Sequence, residues 1–498
     1  MLGPTTFKFL NKIHTLESSA DWNNPTWSHL WIYHLHYFDD LSAVDADCRA
    51  EWHSALIQRW IAENPPASGV GWEPYPMSRR IVNWIKWALN ERSITTRVLD
   101  SLAVQVRFLS QRLERHLLGN HLLANLKALF FAECLFTSAW RVLDDQTDYG
   151  LAFCREFTAQ MDDNGAHYEL SPMYHALVLE DALDVMNIAQ LHARSDVWAM
   201  LEKPVDMMCR WLSSVTHPDG QIALFNDSAF GMSLPCSALV AYASRLGLSK
   251  PHVENVELLC AKQAQTGYIR WQCRSAVALL DCAPIGPDHL PAHGHADYLT
   301  FELSLGKQRV VVDTGTSVYA SGAERLEQRG TRAHNTPIVN NRNSADVWGS
   351  FRVGRRARVR MKCIHEHPLS RVLGWHNGYR NLGVVFIRRE WILSLGVMKI
   401  SDRLARNRRR QTEKYTVEIP FHLHPDLMPE VTGKRSVNIY HHDGSFVCRF
   451  EFDQPLDISL WKYMFHPEFG LSIPAYQIVG YHRGILPREF KTIISWVD

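Results

Sequence analysis

Across residues 56–245 apolar side chains recur at spacings of three and four, as in Ile81, Trp84, Ile85 and Ala88 or in Leu117, Leu122, Leu126 and Leu129. That period predicts helices with one buried face, and strand signals are scarce in this stretch. Turn-rich pieces at 64–71, 162–165 and 217–220 separate the helical runs, as a series of antiparallel helix pairs requires. Near residue 262 the period shortens to two. Residues 267–283 and 298–312 are β-branched and aromatic, with Leu299, Phe301 and Leu303 alternating against Thr300, Glu302 and Ser304. Gly306-Lys307 supplies a turn into 309–312, and runs at 384–387, 390–395, 436–440 and 445–452 continue the pattern to the end.

Length supports the same division. A chain of 498 residues exceeds the roughly 250–300 at which one core stops growing. The expectation is an α+β chain of two domains, helical over 1–255 and built of antiparallel β-sheets over 262–498. Apolar residues at 46% and charged residues at 21% are those of a folded globular protein. A net charge of +1 argues against a binder of nucleic acid, which needs a strong basic excess. No run approaches the roughly 18 apolar residues of a membrane span. Residues 1–10 have one Lys and no apolar core, so nothing there reads as a secretory signal. The ten Cys are scattered without a C-x-x-C pair and are expected as free thiols. Seventeen Trp, sixteen Tyr and twenty-one Phe suit sugar-stacking surfaces and large aromatic cores equally.

Three clusters hold candidate chemistry. Asn120, His121 and Asn125 interrupt an apolar helical run, and His121 and Asn125 share a face; alone, they read as a hydrogen-bonded helix junction more readily than as a site. In the run from His167 to His175, Ser171 has the character of an N-cap and Pro172 that of a first helical residue. That places Tyr174 in the first turn, where the helix dipole would favour a tyrosinate; a core Tyr covering a helix start fits as well. The third cluster is His293, His295 and Asp297, which share a face if extended, followed by Asp313 and by Arg332 and His334. His and Asp are zinc ligands, whereas H-E-x-x-H, G-x-S-x-G and a Walker loop are absent.

Taken together, the chain resembles the heparinase II/III family. The likeness rests on residues 30–39, 72–87, 119–129, 168–175 and 224–228, then on 293–297, Val312-Asp313, 331–336 and 348–356. The resemblance implies an incomplete (α/α) toroid followed by a C-terminal antiparallel β-sandwich, with a cleft between them. It also implies a lyase that breaks the bond at O4 of a uronic acid by β-elimination, removing the C5 proton. Asn120 and His121 would then neutralise the uronate carboxylate, and Tyr174 and His293 would supply base and acid, in an order the sequence leaves open. His295, Asp313 and His334 resemble ligands of a structural zinc; no other cofactor is implied. Arg79, Arg332 and Trp348 are candidates for gripping an acidic polysaccharide, the expected partner. His34 replaces an expected Asn and Ala292 an expected Gly, which blurs the substrate; capsule or exopolysaccharide metabolism is one setting. The family suggests periplasm or cell envelope, the lack of a visible signal the cytoplasm. A uronyl C5-epimerase and a non-catalytic glycan-binding or assembly protein are the competing functions, and no oligomeric state follows from sequence.

Overall fold

The structure is a computed structural model that describes residues 1–90, 94–136, 142–143, 146–248, 266–366, 369–407, 412–453 and 456–497. The expected domain boundary between 255 and 262 lies outside the described residues. The chain divides into two compact units, the first formed by Met1–Met161, Leu177–Asp206 and Tyr242–Ser249, the second by Asp162–Ala176, Met207–Ala241 and Lys250–Asp498. The start of the helix bearing Tyr174 thus belongs with the strands.

The helices run α1 (His29–Tyr37), α2 (Ala50–Glu63), α3 (Pro74–Leu89), α4 (Thr96–Ser110), α5 (Gly119–Leu135), α6 (Tyr149–Ala159), α7 (Pro172–Leu191), α8 (Ser195–Ser214) and α9 (Cys236–Arg245). In the first unit α5 packs against α3, α4 and α6. It is buried on nearly every side, which is why its sequence is apolar all round. Leu122, Leu126 and Leu129 are buried as the period predicts, but Leu117 is exposed and precedes the helix. The chain enters α5 through Leu118, whose φ of 57° and ψ of −149° are not helical. Inside this unit the buried Lys127 Nζ lies 2.7 Å from Asp181 and 2.5 Å from Asp184, and Lys86 also reaches Asp184.

The strands are β1 (Thr6–Phe9), β2 (Lys12–Thr15), β3 (Tyr268–Cys273), β4 (Ala276–Asp281), β5 (Phe301–Leu305), β6 (Gln308–Val311), β7 (Ile338–Val339), β8 (Asp346–Trp348), β9 (Arg352–Gly354), β10 (Val359–Glu366), β11 (Leu369–His376), β12 (Val384–Ser394), β13 (Val397–Arg406), β14 (Lys414–His422), β15 (Leu427–Gly433), β16 (Ser436–His441), β17 (Phe446–Phe452), β18 (Asp457–Phe465), β19 (Ile473–Ile485) and β20 (Arg488–Ser495). In the second unit they form an eight-stranded sheet, β10-β11-β12-β13-β20-β17-β16-β15, and two four-stranded sheets, β3-β4-β5-β6 and β18-β19-β14-β7. Ladder pairing is antiparallel throughout these sheets. Their inward faces share one core that includes Phe301, Leu303, Val372, Ile387, Trp391, Ile400 and Phe450.

The polar positions that alternate with Leu299, Phe301 and Leu303 are inside the protein as well: Thr300, Glu302 and Ser304 are fully buried. Glu302 bonds His217 at 2.7 Å and accepts from the Leu224 and Asp313 amides, while Ser304 bonds the other nitrogen of His217. A buried polar row is tolerated because its members are partnered. The segment from His293 to Asp297 is irregular rather than extended.

Candidate active site

The second unit brings Tyr174 and His293 together. Tyr174 sits in the first turn of α7, and the start of that helix is fixed by side chains. Ser171 Oγ accepts from the Tyr174 amide at 3.2 Å and donates to the Asp227 carbonyl at 2.7 Å, and Ser228 Oγ accepts from the Met173 amide. The preceding Leu170 has φ 56°, a left-handed value unusual for Leu, and its carbonyl is held by Tyr268 and Asn226. Its conformation turns the chain into α7 so that the Tyr174 ring stacks on His293, centroids 3.9 Å apart at 27°.

Asp227 organises the other side of that histidine. Its Oδ2 is 3.0 Å from His293 Nδ1, its Oδ1 is 2.8 Å from His295 Nε2, and Arg325 grips both oxygens at 2.5 and 2.7 Å. Burial alone would raise the Asp227 carboxyl, but the Arg325 guanidinium and the two histidine hydrogen bonds hold it well below the usual carboxylate range. A carboxylate only accepts, so Nδ1 of His293 carries a proton, while Nε2 lies 3.9 Å from Glu169 Oε2. Asn226, also left-handed at φ 57°, precedes Asp227 and caps the His295 amide through its side chain.

The Tyr174 hydroxyl meets Tyr319 Oη at 3.0 Å. Burial first, then the Tyr319 hydroxyl and the Asp227 and Glu169 carboxylates, push the Tyr174 phenol well above its ordinary range. This corrects the expectation of a stabilised tyrosinate. The α7 amides that were to favour the anion are already used by Ser171 and Ser228, and desolvation outweighs the dipole. Tyr174 therefore keeps its proton at neutral pH.

The first unit holds Asn120, His121 and Arg79. Asn120 is buried in the first turn of α5, whose N-terminus receives no side-chain cap, leaving a positive helix end beside the amide. It is hydrogen-bonded to Tyr75. His121 is partly exposed, bonds Glu114 through Nδ1 at 3.0 Å and packs its ring 4.5 Å from Tyr75. Asn125 bonds the same Glu114 together with Ser78, so the shared face expected for His121 and Asn125 is joined by a carboxylate. Arg79 is committed to Asp39 at 3.3 Å and lies 3.7 Å from Asp181.

The model described as Heparinase II/III N-terminus matches residues 21–240, and that described as Heparinase II/III-like, C-terminal, matches residues 260–497. The chain belongs to the heparinase II/III family. A heparin-sulfate lyase of Bacteroides stercoris is 24% identical over 254 residues, 45% of this chain and 36% of that protein, so the match spans little over a third of the relative's length. A crystal structure of heparinase III superposes with a TM-score of 0.73 at 18% identity, over 98% of this chain and 80% of the other. A heparan sulfate lyase of Pedobacter heparinus superposes at 0.67 and 19% identity, with the same coverage. These likenesses show the fold of a heparinase II/III protein, an N-terminal helical domain followed by a C-terminal antiparallel β-sheet domain.

Within this heparinase II/III chain the residues expected to hold zinc are buried near one another. The rings of His295 and His334 are 5.3 Å apart, and His295 Nδ1, His334 Nε2 and Asp297 Oδ2 are buried without hydrogen-bond partners. Those donor types suit zinc. Asp313 lies beside them, its Oδ2 bonding His334 Nδ1 at 2.7 Å and its Oδ1 accepting from the Gly315 amide. Among the described residues no group of three or more His, Cys, Asp or Glu side chains stands in metal-holding geometry.

The remaining candidates lie on the second unit of the heparinase II/III chain. Arg332 is paired with Glu418 at 2.7 Å and lies over Trp461, and Trp348 is half exposed on β8. Tyr319, Asp227, Arg325 and Phe351, which meets His293 edge-on at 5.8 Å, were not singled out from sequence. For Asp227 a signal existed: the polar triplet Asn226-Asp227-Ser228 directly follows an apolar run.

Proposed function

We propose that the chain is a polysaccharide lyase that cleaves uronate-containing acidic glycans by β-elimination, with His293 as base and Tyr174 as acid. The observation that carries this reading is a protonated, buried Tyr174 stacked on a histidine whose Nδ1 is held by the Asp227 carboxylate. His293 Nε2 takes the C5 proton, the C5–H electron pair becomes the C4=C5 double bond, the C4–O4 bond breaks, and Tyr174 protonates O4. His293 then loses the C5 proton to solvent, and Tyr174, bonded to Tyr319, regains a proton from solvent to close the cycle. Asn120 enters through the family resemblance, as the amide that neutralises the uronate carboxylate while enolate charge develops. The heparin-sulfate lyase relatives make a glycosaminoglycan the first substrate to try. A structural zinc would be held by His295, Asp313 and His334, bracing this loop, and the envelope is the compartment the family suggests.

The test is ultraviolet absorbance of the unsaturated product on heparan sulfate, heparosan, hyaluronan, chondroitin and alginate, beside Tyr174→Phe and His293→Ala. A signal that falls by about 10²–10⁴-fold in each variant is expected. Absence of absorbance on every polymer, with C5 deuterium exchange in its place, would overturn the lyase in favour of a C5-epimerase.

A further inference from the structure

The outer face of the eight-stranded sheet carries chemistry that elimination does not use. Strand residues alternate between faces, and the antiparallel registers align the outward ones into rows. Arg360, Trp375, Arg388, Arg403 and Glu489 stand side by side across β10, β11, β12, β13 and β20. Two residues along, Lys362, Leu373, Glu390, Ser401 and Lys491 form the next row, and Arg371 and Lys399 belong to a third. The opposite face, with Val372, Trp391 and Ile400, builds the core.

Cations outnumber acids on this face, although the whole chain carries only +1. Glu390 is engaged by Arg371, and Glu489 accepts from the Ser401 hydroxyl at 2.6 Å. Among the described residues Arg360, Lys362, Arg388, Lys399 and Arg403 form no ion pair, and Arg388 Nε is buried without a hydrogen-bond partner. Arg388 and Arg403 are directly opposed, a like-charge pairing that weakens a sheet and that a merely solvated face has no reason to keep. The half-buried Trp375 lies between Arg360 and Arg388, each one strand away, so the two cations flank an indole about 9–10 Å apart. A pyranose ring stacks on such an indole while guanidinium forks take the carboxylates or sulfates on either side.

We propose that this face is a second, non-catalytic binding surface for acidic polysaccharide, centred on Trp375, Arg388 and Arg403. It goes beyond the active-site reading, shares only its ligand class, and stands or falls by binding rather than turnover.

The experiment measures binding of full-length Tyr174→Phe protein, which leaves polymer uncut, to immobilised heparin and alginate, with dextran, single-stranded DNA and anionic vesicles as comparisons. Adding Arg388→Ser with Arg403→Ser, or Trp375→Ala alone, should weaken binding to both acidic polymers about tenfold or more, the loss of paired charge-assisted contacts. Dextran should not bind. With Tyr174 intact, the same surface variants should cut a tetrasaccharide within about twofold of the unsubstituted rate, since they touch none of the catalytic groups. Unchanged affinity for heparin and alginate overturns the proposal, as does tighter binding to DNA or vesicles that is lost with the same residues. If the double variant melts early, Lys362→Ser with Lys399→Ser repeats the test at exposed positions. Should the protein cut no polymer at all, the lyase reading fails while the binding result still decides this one.

Discussion

A carboxylate that serves two imidazoles and a guanidinium has no conservative replacement. In Asp227→Asn one oxygen becomes an NH₂ facing a donor, which leaves Arg325 or a histidine unpaired inside the protein. The expected cost is about 3–5 kcal/mol, the range for breaking one partner of a buried ion pair, read as a lower urea midpoint. Elimination should fall by more than about tenfold even where folding is restored at low temperature, because Nδ1 of His293 loses the acceptor that sets its tautomer. A variant of normal stability and rate would show that Asp227 is not the organiser. Sequence singles out Asn120 and His121 as polar residues inside an apolar run, Tyr174 by its helix start and His293 by its H-x-H-x-D spacing, and their roles only through the family resemblance. Arg325 from the short helix Ala323–Arg329, and Tyr319 and Phe351 from loops, reach His293 and Asp227, and no local spacing marks them. The tyrosinate expectation failed for a related reason: a helix end is visible in sequence, but the burial that overrides it is a tertiary property.

Element boundaries were legible where caps declare them. Ser171 and Pro172 open α7 as their residue types predict, and this helix start positions Tyr174 through its amide. Ser171→Ala should cost about 0.5–2 kcal/mol by loss of the cap. It should also lower kcat more than it raises KM, since the ring it displaces is the proposed proton donor; an effect on stability alone would make Ser171 merely structural. The alternation over 298–305 was also legible, but its meaning was not. Pattern records the polarity of Glu302 and Ser304, not the presence of His217 and Arg309 to receive it. The segment from His293 to Asp297 is irregular, so the face its residues would share if extended does not form, and what draws its two histidines together is the Asp227 carboxylate.

At the scale of the molecule, several histidines are held neutral by burial. It depresses His36, His175 and His376 to about 3, and His34 and His217 to about 4. An unfolded chain protonates these rings below about pH 6.5, whereas the folded chain does not until about 3–4, so stability is full above 6.5 and declines on acidification through that window. Asp281 and Asp297, which burial keeps protonated, act in the opposite sense but are outnumbered. The urea midpoint should therefore be lower at about pH 5 than at about pH 7.5; an equal or higher value would contradict this assignment of neutral imidazoles. The division of the chain bears on how the molecule can be cut. A fragment beginning at residue 262 lacks Tyr174, Asp227 and His217, and so leaves Arg325, His293 and Glu302 without their partners. It should be open to proteolysis where the full chain resists, and a protected fragment would refute this. The same interleaving governs synthesis. Residues 162–176 and 207–241 emerge from the ribosome before 250–498, the remainder of their unit, and at about 5–20 residues per second they wait on the order of tens of seconds. During that interval the helix start that presents Tyr174 has no β-sheet to close over it, so a stalled nascent chain would hold this part of the candidate site as exposed apolar surface, a target for chaperones before the fold is complete.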